Sequence, residues 1–200
     1  MTSSNLFSLK DKTVVITGSG RGIGFSLAKG FTQEGASVIG IDQSFVSTDV
    51  FKDTLCVNFL QTSSIKEQFS TFFQSYPIID VWINCAGITS ANPSESYSEQ
   101  DWLDTLQVNL TASFLCCQFA GNYMIDKRIS GSIINVTSIG DCLGFPENPA
   151  YCASKGGLNQ LTKALAYDWG KHGIRVNNLA PGYTHTPMNQ KSWENLESKK

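Results

Sequence analysis

The stretch "KTVVITGSGRGIGFSLAKGFTQEG", residues 12–35, changes its period in the middle. It opens as a β-branched apolar run ending in glycine, the pattern of a strand buried on both faces. It ends with apolar residues at helical spacing and a closing glycine. A buried strand that gives way within a few residues to an amphipathic helix is packed only if the helix lies back across a sheet. The segment therefore commits the chain to layers of helices on a mostly parallel sheet. Glycines 18, 22 and 24 lie in the turn, where positive φ and close backbone approach are needed.

The alternation continues downstream. "ASVIGID" (36–42), "TLCVN" (54–58), "IIDVWINCAG" (78–87), "GSIINVTS" (131–138) and "GIRVNNLAPG" (173–182) read as strands. "SSIKEQFSTFFQSY" (63–76) reads as a helix capped by serine and stopped by Pro77. Residues 98–127 read as one long helix with a Ser98–Asp101 capping pair, and a further helix starts near Pro149. This order predicts a doubly wound α/β fold in one globular domain, residues 1–200, with ligands bound beyond the carboxyl ends of the strands.

The overall balance excludes several classes of partner. A net charge of −2 and a pI near 5.6 give no electrostatic footprint for nucleic acid or anionic lipid. No apolar run has the length of a membrane span, and "MTSSNLFSLKDK" lacks the basic-then-apolar pattern of a secretory signal, so a cytoplasmic address is expected. Six cysteines, at 56, 85, 116, 117, 142 and 152, include no C-x-x-C pair. They read as reduced, mostly buried thiols, with no metal site.

The turn "TGSGRGIG" (17–24), between a buried strand and a helix, is placed to receive a pyrophosphate. Gly18, Arg21, Gly22, Ile23 and Gly24 are its candidate contacts, and the ligand class is a dinucleotide. Asp42 ends the second strand, where a carboxylate accepts from ribose hydroxyls and repels a 2′-phosphate. Arg21 favours the 2′-phosphate, but no arginine follows Asp42. The sequence reading is NAD ahead of NADP.

Tyr-x-x-x-Lys occurs three times, at Tyr123/Lys127, Tyr151/Lys155 and Tyr167/Lys171. On a helix this spacing sets a phenol and an ammonium one turn apart on one face. Spacing alone does not choose among the copies. A serine precedes Tyr151 by thirteen positions (Ser138), but one also precedes Tyr167 by thirteen (Ser154). Location does choose: Ser138 closes a strand at its carboxyl end, whereas Ser154 lies inside the same helix as Tyr167.

"TGSGRGIG", "NCAG" (84–87), "NVTS" (135–138), "YCASK" (151–155) and "NNLAPGYTHTPM" (177–188) stand in the order typical of the short-chain dehydrogenases/reductases. From about residue 9 to 190 the chain resembles the compact, single-domain branch of that family. The resemblance implies a Rossmann-type doubly wound parallel sheet flanked by helices. It also implies Asn109, Ser138, Tyr151 and Lys155 as catalytic residues: Tyr151 as acid/base with its pKa lowered by Lys155 helped by the positive end of a bound nicotinamide, Ser138 orienting the substrate oxygen, Asn109 opening a helix to hold a water. For the cofactor it implies Asn58 at the adenine, Asn84, Ala86 and Gly87 beside the adenosine, Lys155 at the nicotinamide ribose, and Pro181, Gly182, Thr184 and Thr186 around the nicotinamide. Cys85 replaces the family's commoner asparagine.

Family members run on beyond the point where this sequence stops, so the resemblance leads us to expect the last strand and substrate lid to be lacking. Trp193 is the candidate for a residue facing the substrate. The implied activity is a secondary-alcohol dehydrogenase acting on a sugar acid or polyol. The alternatives are an NADPH-dependent 3-oxoacyl-thioester reductase and a non-catalytic cofactor-binding protein. A homodimer or homotetramer is implied through the 98–127 and 149–171 helices.

Overall fold

A computed structural model describes residues 8–190. Six strands form one parallel sheet: β1 (Thr13–Thr17), β2 (Ser37–Asp42), β3 (Asp53–Cys56), β4 (Val81–Asn84), β5 (Ser132–Val136) and β6 (Arg175–Leu179). Their order is β3-β2-β1-β4-β5-β6, and every pairing is parallel. The direction of winding reverses between β1 and β4. Loops diverge there and leave a crevice at the carboxyl edge of the sheet.

The central strands are apolar at consecutive positions because both faces are covered. Val14, Val15 and Ile16 of β1 have no exposed surface. Val15 packs with Ile39, Trp82 and Ile133 under α2 (Ile65–Phe72), α4 (Ser113–Asp126) and α5 (Pro149–Gly170). Val14 and Ile16 pack on the opposite face with Ala28 of α1 (Gly22–Gln33). Each such aliphatic side chain removed from water contributes about 1.5–3 kcal/mol.

The expected helix at 98–127 is interrupted. It begins as α3 (Glu99–Leu106), with the Ser98 hydroxyl accepting from the Asp101 N–H at 3.0 Å. It then widens into a π-helical turn at Gln107–Ala112 before α4. An insertion of this kind costs hydrogen bonds and marks a position where something other than helix regularity decides the backbone. Here the residue is Asn109.

β4 is shorter than the 78–87 run, because Tyr76 and Pro77 lead in irregularly and residues 85–92 turn into the crevice. Of the cysteines, Cys116 and Cys117 are buried, Cys85 and Cys152 half-buried, and Cys56 and Cys142 exposed, all free. The expectation that most are buried therefore fails: Cys56 ends the edge strand β3, and Cys142 and Cys152 flank a surface loop.

Candidate active site

The glycine turn is shaped by contacts that no side chain permits. Gly18 has φ +66°, and a Cβ there would lie 2.4 Å from the Ala86 nitrogen. A Cβ on Gly24 would lie 2.2 Å from the Gly18 carbonyl oxygen, so α1 starts directly against the turn. Gly22, at φ +60°, opens toward Thr186 and Pro187. Arg21 is the N-cap of α1 and makes no side-chain cap bond, so the first amides of the helix present their N–H groups outward. This cradle fits a dinucleotide pyrophosphate.

Gly20, passed over in the sequence, proves equally constrained. A Cβ would fall 1.8 Å from the Ser44 carbonyl oxygen. Its N–H donates to Asp42 Oδ2 at 2.8 Å, while Asp42 Oδ1 accepts from the Gln43 N–H at 2.7 Å. The carboxylate is thus fixed beside the turn with lone pairs remaining for ribose hydroxyls. Asn58 is exposed beyond β3, with its Oδ1 accepting from the Leu60 N–H. Ile23 sits half-buried at the first turn of α1.

Asn84 does not reach the crevice. Its Oδ1 accepts from Trp82 Nε1 at 2.8 Å, and its Nδ2 donates to Asn135 Oδ1 at 2.8 Å and lies 3.1 Å from Cys117 Sγ. Asn135 continues the chain to Thr162 Oγ1 at 2.8 Å, and Thr162 meets Asn178 Oδ1 at 2.6 Å. These groups tie β4, β5, β6 and α5 together in a nearly dry interior. Asn135 is another residue the sequence reading assigned no role; its signal was a polar residue inside "GSIINVTS" at the start of "NVTS".

Ser138, Tyr151, Lys155 and Asn109 converge at the carboxyl ends of β4 and β5. Ser138 follows β5 and accepts from the Gly140 N–H at 3.1 Å. Pro149 at the first turn of α5 starts the helix that carries Tyr151 and Lys155 on one face. The Lys155 ammonium donates to the Val136 carbonyl at 2.8 Å and lies 5.8 Å from the centre of the Tyr151 ring. Asn109 grips the loop after β4 from both sides: Oδ1 accepts from the Ile88 N–H at 2.8 Å, and Nδ2 donates to the Ile88 carbonyl at 2.9 Å and to Ser154 Oγ at 3.0 Å. A Cβ on Gly87 would lie 3.3 Å from Asn109 Oδ1 and 3.6 Å from Lys155 Nζ, so Gly87, next to Ala86, adjoins both groups.

The electrostatics differ from the simple phenol–ammonium pair. Burial lowers the Lys155 pKa to about 8, against the opposing pull of Cys85 and Asp141. Burial raises the Tyr151 pKa, while a hydrogen bond with Ser138 pulls it down. Desolvation outweighs Ser138, so burial holds the Tyr151 phenol above its ordinary value.

The other two Tyr-x-x-x-Lys pairs lie elsewhere. The Tyr123 hydroxyl donates to the Tyr76 carbonyl, with Lys127 over its ring, and Tyr167 is 89% exposed. Residues 181–189 follow β6, with Thr186 and Pro187 beside Gly22 of the glycine turn. Thr186 meets Asn189 Oδ1 through both N–H (2.9 Å) and Oγ1 (3.0 Å), and Asn189 Nδ2 donates to the Thr184 carbonyl. Pro181 accepts from the Ile139 N–H, and Gly182 is exposed. A cavity of about 810 Å³ runs along α1 from Gly22 and Ile23 to Glu34, and Thr184 and Thr186 also line it. Trp193 lies outside the described residues. Among the described residues no helix is long and apolar enough to cross a membrane.

The chain is similar to known proteins over most of its length. The 3beta-hydroxysteroid dehydrogenase 1 of Eggerthella lenta is 35% identical, over 96% of this chain and 77% of its own length. The gluconate 5-dehydrogenase of Gluconobacter oxydans is 33% identical, over 96% and 78%. The crystal structure of a gluconate 5-dehydrogenase from Burkholderia cenocepacia, in complex with NADP and tartrate, superposes with a TM-score of 0.84 at 31% identity, over 92% of this chain and 76% of that one. The family model described as short chain dehydrogenase matches residues 12–197. With its Rossmann-like sheet and these relatives, the chain belongs to the short-chain dehydrogenase family, oxidoreductases that act on CH–OH groups with NAD or NADP.

Proposed function

We propose that the protein interconverts a secondary alcohol and a ketone with NAD or NADP, using Tyr151 as general acid and base. The observation that carries this reading is the convergence of Ser138, Tyr151 and Lys155 at the carboxyl edge of β5, open to the glycine cradle. When bound, the nicotinamide accepts or delivers the hydride. The cradle at Gly18, Gly22 and Gly24 holds the pyrophosphate, Asp42 the adenosine ribose, Lys155 the second ribose, and Thr186 the carboxamide.

The proton chemistry belongs to the chain. Tyr151 Oη takes the hydroxyl proton of an alcohol, or returns it to the oxygen of a ketone. An ordinary phenol ionises near pH 10, so oxidation needs the phenolate favoured by several kcal/mol over its burial. Ser138 supplies part of this through its hydrogen bond and orients the substrate oxygen. Lys155 supplies positive charge one helical turn away. Asn109 holds Ile88 and thereby the loop that forms one wall.

Asp42 beside Gly20 supports NAD; Arg21, and the NADP bound to the Burkholderia enzyme, support NADP. The relatives are named for a sugar acid and for a steroid, which leaves the substrate class open between them. Exposed Trp102, Leu103 and Phe114 support self-association through the α3–α4 face as a homodimer or homotetramer, and we place the protein in the cytoplasm. The test is a panel of secondary alcohols and ketones, assayed by dinucleotide absorbance with each cofactor. Turnover that vanishes in Tyr151→Phe supports the reading; dinucleotide binding without turnover of any member supports a non-catalytic binding protein instead.

A further inference from the structure

We propose that the substrate end of this crevice receives an uncharged, ring-containing secondary alcohol or ketone, whose apolar face lies on Phe145 and Tyr183, and not a sugar acid. The inference rests on the function proposed above and narrows its substrate.

Charge is the first argument. Three loops leave the carboxyl ends of β4, β5 and β6 around Tyr151: residues 85–98, 137–148 and 180–190. Together they contain no lysine or arginine, and His185 is their one basic side chain. They do carry Glu95, Asp141 and Glu147, and Asp101 follows at 3.4 Å from Asn92 Nδ2. Asp141 is near enough to act on Lys155, so its field reaches the reacting groups. Lys155 itself is buried and donates to the Val136 carbonyl. A carboxylate beside Tyr151 would lose its hydration and meet negative charge, a combination that selects against anions.

Shape is the second. Phe145 stacks beside Tyr151 with ring centres 6.5 Å apart and planes 18° apart. Tyr183, 77% exposed, lies 6.1 Å from Phe145. Phe145 therefore links the phenol that moves the proton to an exposed second ring. Phe145 is held in place: its ring lies over Gly140, where a Cβ would come within 2.8 Å of Cε2, and the Phe145 N–H points to Cys152 Sγ at 3.3 Å. Gly140 is the residue whose N–H engages Ser138, so the ring rests on the turn that positions the serine. An aromatic pair of this kind offers a flat alicyclic skeleton a large apolar contact.

The experiment compares kcat/KM for 2-decalone, a neutral bicyclic ketone, with that for 5-keto-D-gluconate, using the preferred dinucleotide. We expect decalone to be favoured by about tenfold or more. Phe145→Ala and Tyr183→Ala are expected each to lower kcat/KM for decalone about fivefold or more, chiefly through KM for Tyr183→Ala, whose ring is exposed. Tyr183 is exposed, so its variant carries the test if Phe145→Ala fails to fold. Equal or better turnover of ketogluconate, lost in Tyr151→Phe, would overturn the substrate inference and leave the proposed function standing. Decalone turnover indifferent to both aromatic substitutions would also overturn it. Turnover of neither ketone nor of any alcohol would overturn both.

Discussion

The ammonium of Lys155 lies 5.8 Å from the centre of the Tyr151 ring, on the same face of α5, and burial shifts the two groups in opposite senses. Lys155 falls to about 8 from an unfolded value near 10.5. Below pH 8 both folded and unfolded chains carry its proton, and the native state bears a net penalty of about 3 kcal/mol, burial offset in part by Cys85 and Asp141. Between pH 8 and 10.5 the native chain has released the proton and the unfolded chain has not, so this penalty fades as pH rises. Replacing Lys155 with Met removes the titration. The stability of Lys155→Met relative to wild type, from urea unfolding, should fall by about 3 kcal/mol across that window. A difference independent of pH would contradict the assignment.

Asn109 is predicted to act through Ile88. Asn109→Ala leaves the Ile88 N–H and carbonyl and the Ser154 hydroxyl without this partner, at a cost of about 2–4 kcal/mol in stability. It frees the wall of the crevice, so turnover should fall by about 10–100-fold. Retention of wild-type kcat with the stability loss would assign Asn109 a structural role alone.

Asn135 is predicted to matter for stability out of proportion to its size. Asn135→Leu leaves Asn84 Nδ2 and Thr162 Oγ1 short of partners in a buried network, a loss of about 2–4 kcal/mol by chemical denaturation. A change below about 0.5 kcal/mol would mean that the network relaxes around the substitution.

Cofactor choice is predicted to turn on the pair Asp42 and Arg21. Asp42→Ala should shift the NADPH/NADH affinity ratio by about tenfold or more toward NADPH, because it removes a charge from the 2′ position. Arg21→Ala should shift it the other way. Titration of each reduced dinucleotide, followed by energy transfer from tryptophan, reads both ratios. No movement in either variant would place the adenosine ribose elsewhere.

Much of the architecture was legible because it rests on local patterns. "KTVVITG" reads as a buried strand whatever surrounds it, and Gly18, Gly22 and Gly24 reflect backbone demands that local sequence expresses. The π-helical turn was not legible from periodicity, since "QVNL" continues the apolar stripe of its helix; only the resemblance pointed to Asn109. Gly20, Asn135, Gly140 and Asn189 were missed for one reason. Each is dictated by a neighbour distant in sequence or across a turn: Ser44, Asn84, Phe145 and Thr186. The opposed pKa shifts also needed the fold, because burial, which dominates both, is not a property of spacing.

The most direct measurement compares steady-state turnover of a reactive ketone by wild type, Tyr151→Phe, Tyr123→Phe and Tyr167→Phe, with dinucleotide binding measured in parallel. Tyr151→Phe should lose about 10³-fold or more in kcat while binding the dinucleotide normally. Tyr167→Phe should match wild type, and Tyr123→Phe should lose only about 1 kcal/mol of stability through its bond to Tyr76. Wild-type turnover in Tyr151→Phe would contradict the assignment of the acid/base.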